Sequence, residues 1–280
     1  MDRLLVAGFG DIARRALPLL ERRFEIAPLS RRHGFDLDRP ETLALDSAAA
    51  LLHCAPPPPR GRTDSRTAHL LAALEKSSIL PARVVYVSTS GVYGDCGGAL
   101  VEESRPLNPM TERAARRVDA EAQLARWCSA RGAALVVLRA PGIYAAERLP
   151  LERLRAGTPA LRPEDDVYTN HIHADDLAAI AARSLAEDAP AGVYNACDDT
   201  AMKMGDWLDL VADATGLPRP PRISGAEAAA RVPPGLLSFM QESRRLSNRR
   251  LKSVLGARLR YPSVREGLAH VRPVGADQLA

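Results

Sequence analysis

Cysteine is scarce. Four residues (Cys54, Cys96, Cys128, Cys197) stand in a chain of 280, with no C-x-x-C pair among them. That argues against a disulfide framework or a zinc site and suits a reducing cytosol. No run approaches the ~20 apolar residues of a membrane span. The N-terminus enters a strand directly, so a cytoplasmic chain without a signal peptide is expected. The net charge is only +4, at a pI near 9.0, and the excess is arginine scattered along the chain rather than a basic tail. No helix concentrates that charge or interleaves it with aromatics, so a nucleic-acid partner is not expected. Apart from proline runs, internal repeats and low-complexity linkers are missing too. What is present is ordinary for a globular protein with a sizeable core: 46% hydrophobic and 26% charged residues. The length allows one large α/β unit or a domain with a smaller lobe.

The first apolar strand, Arg3 to Ala7, runs into Gly8-Phe9-Gly10-Asp11-Ile12-Ala13 and a helix from Asp11 to Arg23. This is the G-x-G-x-x-A variant of the dinucleotide fingerprint. Gly8 permits the tight turn, Gly10 lets backbone approach a pyrophosphate, and the small Ala13 lets the helix pack closely on the strand. A tight turn without a ligand is the other reading. The second strand, Phe24 to Leu29, ends in Ser30-Arg31-Arg32, with no carboxylate until Asp36. An acid there would read the 2′-hydroxyl of NAD, whereas Arg31 and Arg32 suit the 2′-phosphate of NADP, so NADP(H) is expected in preference to NAD(H). A solvated basic loop is the alternative. A short third strand is expected before Asp36-Leu37. A fourth, Ala48 to Ala55, ends in the four prolines Pro56 to Pro59, which offer only carbonyls and apolar surface. A helix is expected from about Arg66 to Lys76.

The stretch from Val84 to Glu121 organises the rest. It reads VVYVSTSGVYGDCGG, then an acidic, proline-punctuated loop, then the helical NPMTERAARRVDAEAQL. Ser88, Thr89 and Ser90 fall at the carboxyl end of a buried strand, where open α/β sheets place their chemistry. This pattern resembles the extended short-chain dehydrogenase/reductases, in the atypical subgroup labelled NAD-dependent epimerase/dehydratase-like. The resemblance is also carried by Gly8 to Ala13, by Leu138-Arg139-Ala140-Pro141-Gly142-Ile143-Tyr144 and by Asn170 to Asp176. It implies a doubly wound parallel sheet with a smaller C-terminal substrate lobe. It places Thr89 at the catalytic Ser/Thr position, and Asp36, Leu37, Ala55, Pro56, Pro141 and Gly142 against the cofactor. Counting back from Glu121, however, the usual Tyr-x-x-x-Lys pair falls on Arg113 and Arg117. Arginine stays charged and cannot be the acid–base. Arg117 could keep the electrostatic part of the lysine's role, and Arg113 could hold an oxyanion or a carboxylate. Both could instead be solvated. Tyr93 is the nearest candidate proton donor in sequence.

After the strand Ala133 to Arg139 the chain is expected to leave the sheet. The division is a dinucleotide domain over residues 1–148, to which segments near 173–197 return, and a substrate lobe over 149–280. Ser90, Tyr144, His171 and Arg244 are the candidate substrate contacts. His171 and His173 share one strand face with no third metal ligand nearby, so a core role is the plainer reading. Two functions remain open. One is an NADP-dependent oxidoreductase or epimerase on a small polar, sugar-like or anionic substrate. The other is an NADP(H)-binding sensor without hydride chemistry. A small-molecule substrate is the expected partner, and a homodimer is the assembly left open.

Overall fold

The apolar runs of the sequence become a parallel sheet buried on both faces. The computed structural model describes residues 1–273. The chain runs through β1 (Asp2–Ala7), α1 (Asp11–Leu20), β2 (Phe24–Leu29), β3 (Ala50–His53), α2 (Ser65–Lys76), β4 (Arg83–Thr89), α3 (Glu112–Arg131) and β5 (Ala134–Ala140). It then forms the short strands β6 (Gly142–Tyr144) and β7 (His171–His173), helix α4 (Ala174–Ser184), β8 (Gly192–Asn195), and helices α5 (Met204–Thr215) and α6 (Val264–Leu268). Six strands pair in the order β8-β5-β4-β3-β1-β2, every neighbour parallel. This is the doubly wound sheet, and the buried, largely aliphatic runs of its strands follow from having helices on both sides.

One face packs α1 and α4, through Ile12, Ala13, Ala16 and Leu20 against Leu177, Ala178, Ile180 and Ala181. Alanines at these contacts let the two helices and the sheet approach closely. The other face packs α2 and α3, through Leu70, Leu71 and Leu74 with Ala120, Leu124 and Trp127. Caps set the helix starts: Asp64 accepts from the N–H groups of Arg66 and Thr67, and Thr111 Oγ1 accepts from Ala114 N–H at 3.1 Å.

The expected third strand does not form. Arg31–His33 make a 3₁₀ turn that Gly34 ends at φ +82°, and from 34 to 49 the chain forms no strand, only a second 3₁₀ turn at Pro40–Thr42. Asp36 and Thr42 side chains bind local backbone groups, with Asp38 N–H on Asp36 Oδ1 at 3.0 Å and Asp36 N–H on Thr42 Oγ1 at 2.9 Å. These short loops compete with a sheet ladder, and Pro40 removes a donor. β2 is therefore an edge strand, which is where its Pro28 is tolerated.

The C-terminal lobe has its own core, in which Trp207, Leu208, Val211 and Ala212 of α5 meet Leu154, Tyr144, Val264 and Leu268. β6 pairs with β7, Ile143 opposite Ile172, so the lobe is joined to the strand ends of the sheet. Asp175 and Asp176 lie in the first turn of α4 without capping it. His173 caps it, its Nδ1 accepting from Asp175 N–H at 3.2 Å, while Asp176 accepts the N–H groups of Arg260 and Tyr261 at 2.7 and 2.9 Å. Among the described residues no helix is long and apolar enough to cross a membrane.

Candidate functional site

Gly8 leaves β1 at φ +82°, with its N–H on Leu29 O at 3.0 Å. A Cβ at Gly8 would stand 2.3 Å from Ala55 N, so only glycine lets β1 and the end of β3 come together here. Gly10 is different: the nearest protein atom to a Cβ there is Gly8 O at 4.0 Å, and the space beyond is open cleft. Among the described residues nothing accepts from the N–H groups of Asp11, Ile12 and Ala13, the first turn of α1. These are the donors and the close approach that a pyrophosphate requires, so the residues present fit a dinucleotide.

Two cavities meet at this turn. The first, about 420 Å³, lies at the end of β2 and is lined by Gly8, Phe9, Gly10, Ser30, Arg31, Arg32, Asp36, Leu37, Ala55 and Pro56. The second, about 290 Å³, shares Gly8, Gly10 and Cys54 and continues over Asp11 and Ile12 to Ser88, Thr89, Arg117 and Pro141. Gly142 lies just beyond, its N–H held by Asn170 O at 3.1 Å. One groove thus runs across the strand ends.

Residues not foreseen complete the first cavity: Arg14, Phe35, Cys54 and Arg66. Arg66 donates to Asp38 at 2.8 and 2.6 Å and to the carbonyls of Pro56 and Pro57 at 3.1 and 3.2 Å. The proline run, which has acceptors but no donors, is fastened in this way. Arg14 carried a readable signal, since it sits one helical turn after Gly10 on the first helix.

In the second cavity Thr89 is half-buried, and its Oγ1 accepts from Gly91 N–H at 3.3 Å. Arg117 donates to Tyr86 OH at 2.9 Å and Val87 O at 3.0 Å, which fixes it beneath the strand end. Burial and the Arg117 charge push the His53 imidazole down to about 3, so it stays neutral. Burial pushes the Cys54 thiol up to about 12. Burial also works to raise the Asp11 carboxyl, but its hydrogen bonds to Arg148 and Arg15 outweigh that and hold it below the usual range.

Five sequence candidates are placed elsewhere. Tyr93 is 1% exposed, its hydroxyl donating to Asn195 Oδ1 at 2.8 Å and accepting from Arg139 at 2.9 Å, so it does not face the groove. Ser90 is buried and lines neither cavity. Tyr144 and His171 pack on Trp207 in the lobe core, and burial alone pushes His171 down to about 3. Arg244 is occupied by Glu242 at 2.8 Å and Gly94 O at 2.6 Å. Arg113 lines neither cavity and lies over the Phe239 ring, its guanidinium carbon 4.1 Å from the centroid.

Asp198, next to the His171 carbonyl, is 3% exposed. Its Oδ1 accepts from Thr200 N–H at 2.9 Å and its Oδ2 has no partner. Burial, helped by the neighbouring Asp199 and Asp176, pushes its carboxyl up to about 7. The folded state therefore holds a proton that the unfolded state releases near pH 4. The stability this contributes is full below that pH and is lost as pH rises through about 7. Asp198→Asn keeps the Thr200 contact and should melt above the parent at pH 8, by an amount equivalent to on the order of 3 kcal/mol, with little gap at pH 4. Calorimetric melts at both pH values check this, and a pH-independent gap would contradict it.

The fold and the groove define an NAD(P)-binding protein of the Rossmann type. The profile of the NAD dependent epimerase/dehydratase family matches residues 65–197, just under half of the chain, and the chain's homologues are of the reductase and epimerase type among the extended short-chain dehydrogenase/reductases. It is 29% identical over 218 residues to the 3-diazoavenalumate denitrifying reductase of a Streptomyces species, covering 75% of this chain and 70% of that one. A functionally unknown conserved protein from Silicibacter pomeroyi superposes with a TM-score of 0.79 at 32% identity, over 97% and 98% of the two chains. The NADPH complex of RMD from Pseudomonas aeruginosa superposes at 0.74 with 19% identity, over 97% and 98%, a likeness of fold alone.

Proposed function

We propose that the chain is an NADP-dependent oxidoreductase acting on a small anionic substrate. The observation that carries this is the arginine set at the end of β2. Arg14, Arg31 and Arg32 line the first cavity, and among the described residues none of the three has a carboxylate partner, whereas Arg66 beside them is paired with Asp38. Guanidinium groups outside any ion pair at the position that reads the adenosine ribose suit a 2′-phosphate, although the Asp38 carboxylate also acts on Arg31 from a distance. The kinship with a named reductase agrees with an oxidoreductase, and the fold is shared with complexes of both NADPH and NAD.

When bound, the dinucleotide would supply a hydride. The chain's own part is positioning and electrostatics. The first turn of α1 and Gly10 hold the pyrophosphate, and Thr89 offers a hydroxyl at the end of β4. Arg117, pinned by Tyr86 and Val87, carries positive charge into the groove without being able to give up a proton. Any proton the reaction needs then passes through the Thr89 hydroxyl or comes from water.

Calorimetric titration with NADPH and NADH tests the reading. NADPH should bind at least about tenfold more tightly, since a charged hydrogen-bonding group is worth roughly 1.5–3 kcal/mol. The double variant Arg31→Ala/Arg32→Ala should lose that preference and keep its NADH affinity. Equal affinities in the parent would remove the NADP assignment.

A second reading, an NADP(H)-responsive module without hydride chemistry, is favoured by one observation. The Tyr93 phenol is locked inside, and both positions of the family's proton-transfer pair are arginine. NADPH binding without NADPH oxidation across a panel of carboxylated aldehydes and ketones would select it.

A further inference from the structure

Beside the strand end that bears Thr89, the start of α3 carries charge and aromatic surface outside both cavities. Gly91 lies between Thr89 and α3, since a Cβ there would be 3.6 Å from the Thr89 side chain and 3.9 Å from Ala114 Cβ. The first turn of α3, with Arg113, therefore stands beside the strand end that bears Thr89. The Arg113 guanidinium carbon is 4.1 Å from the ring centroid of Phe239, which belongs to the lobe segment 234–241. Phe239 is 46% exposed and Met110, just before the helix, is 61% exposed, so both side chains offer apolar surface. Shielding by protein lowers the Arg113 pKa, and the charges of Arg116, Arg117 and Arg244 add to this while Glu242 opposes it. Glu242, though, is already paired with Arg244. Among the described residues Arg113 has no ion pair of its own, so it is a partly shielded cation among cations.

We propose that Arg113 and Phe239 form a jaw that takes a carboxylate carried on a flat, aromatic or conjugated body. The proposal rests on the groove being a cofactor and substrate site, and it names the substrate class. A guanidinium stacked on a ring keeps its in-plane N–H edge free, the geometry that meets the two oxygens of a carboxylate. The exposed face of Phe239 and the adaptable Met110 supply contact for the flat body, which would extend toward Thr89.

The test is calorimetric titration of the full chain, with and without NADPH, using benzoate, cyclohexanecarboxylate, benzyl alcohol and phenyl phosphate. Benzoate should bind more tightly than the other three. Arg113→Met should weaken it by at least about tenfold, Arg113→Lys by less, and Phe239→Leu should narrow the gap between benzoate and cyclohexanecarboxylate. Arg113→Met should leave NADPH affinity unchanged. The jaw is overturned if benzoate gives no heat, if benzyl alcohol or phenyl phosphate matches it, or if Arg113→Met binds it like the parent. Arg113-dependent benzoate binding in a protein that binds no NADPH would overturn the cofactor reading and leave the jaw standing.

Discussion

Glu121→Ala should destabilise the protein by about 3–5 kcal/mol, because it strands a buried guanidinium. Glu121 is 8% exposed and Arg139 5% exposed. The carboxylate accepts from Arg139 Nη2 at 2.8 Å and from Ser88 Oγ at 2.5 Å. Arg139 also donates to Tyr93 OH, which donates to Asn195, whose amide reaches Val101 O at 3.1 Å and Ser247 O at 3.2 Å. This network joins the ends of β4, β5 and β8 to α3 and to the C-terminal segment. Its satisfied hydrogen bonds are what make the buried pair tolerable. Removing both charges, as in Glu121→Met/Arg139→Met, should recover much of the loss, since two apolar side chains leave no orphaned ion. Denaturant unfolding of Glu121→Ala and of the double variant measures this. A loss under about 1 kcal/mol for Glu121→Ala would show that water reaches Arg139, and the network would not be the clamp described.

The same network explains what could be read in the sequence and what could not. Strands, their order of appearance and the glycine turn are local: apolar β-branched runs and a fixed spacing announce them. Thr89 is local too, as the last residue of a strand. Tyr93 is not. Its position four residues on fits a groove residue, yet its hydroxyl is captured by Asn195 and Arg139, which lie 102 and 46 residues away in the chain. His171 and Tyr144 were drawn inward in the same way by Trp207, whose helix no local pattern places against them. Arg244 was taken up by Gly94 O, 150 residues distant. The missing third strand is the opposite case. There the loop's own side chains, Asp36 and Thr42, captured the backbone before a ladder could form. In both cases the outcome was decided by which partner reached a polar group first, and residue type alone does not carry that.

The two glycines of the first turn separate folding from binding. Gly8→Ala should be strongly destabilising, because its Cβ would lie 2.3 Å from Ala55 N and 2.4 Å from Ala55 Cα at a φ of +82°. Backbone cannot yield there without parting β1 from the end of β3, so a loss of several kcal/mol is expected. Gly10→Ala meets no such obstacle. Gly10 has φ −92°, open to any residue, and its Cβ would point into the groove, 4.0 Å from the nearest protein atom. The apo protein should therefore melt within about 1 kcal/mol of the parent. The cost falls on the dinucleotide, since the methyl group would occupy the space that lets a pyrophosphate meet the N–H groups of Asp11, Ile12 and Ala13. NADPH affinity should drop by roughly a hundredfold, about 2.7 kcal/mol. Paired melts and calorimetric titrations of the two variants report the two effects separately. If Gly10→Ala bound NADPH as well as the parent, the pyrophosphate could not lie over this turn, and the groove would have to be filled some other way.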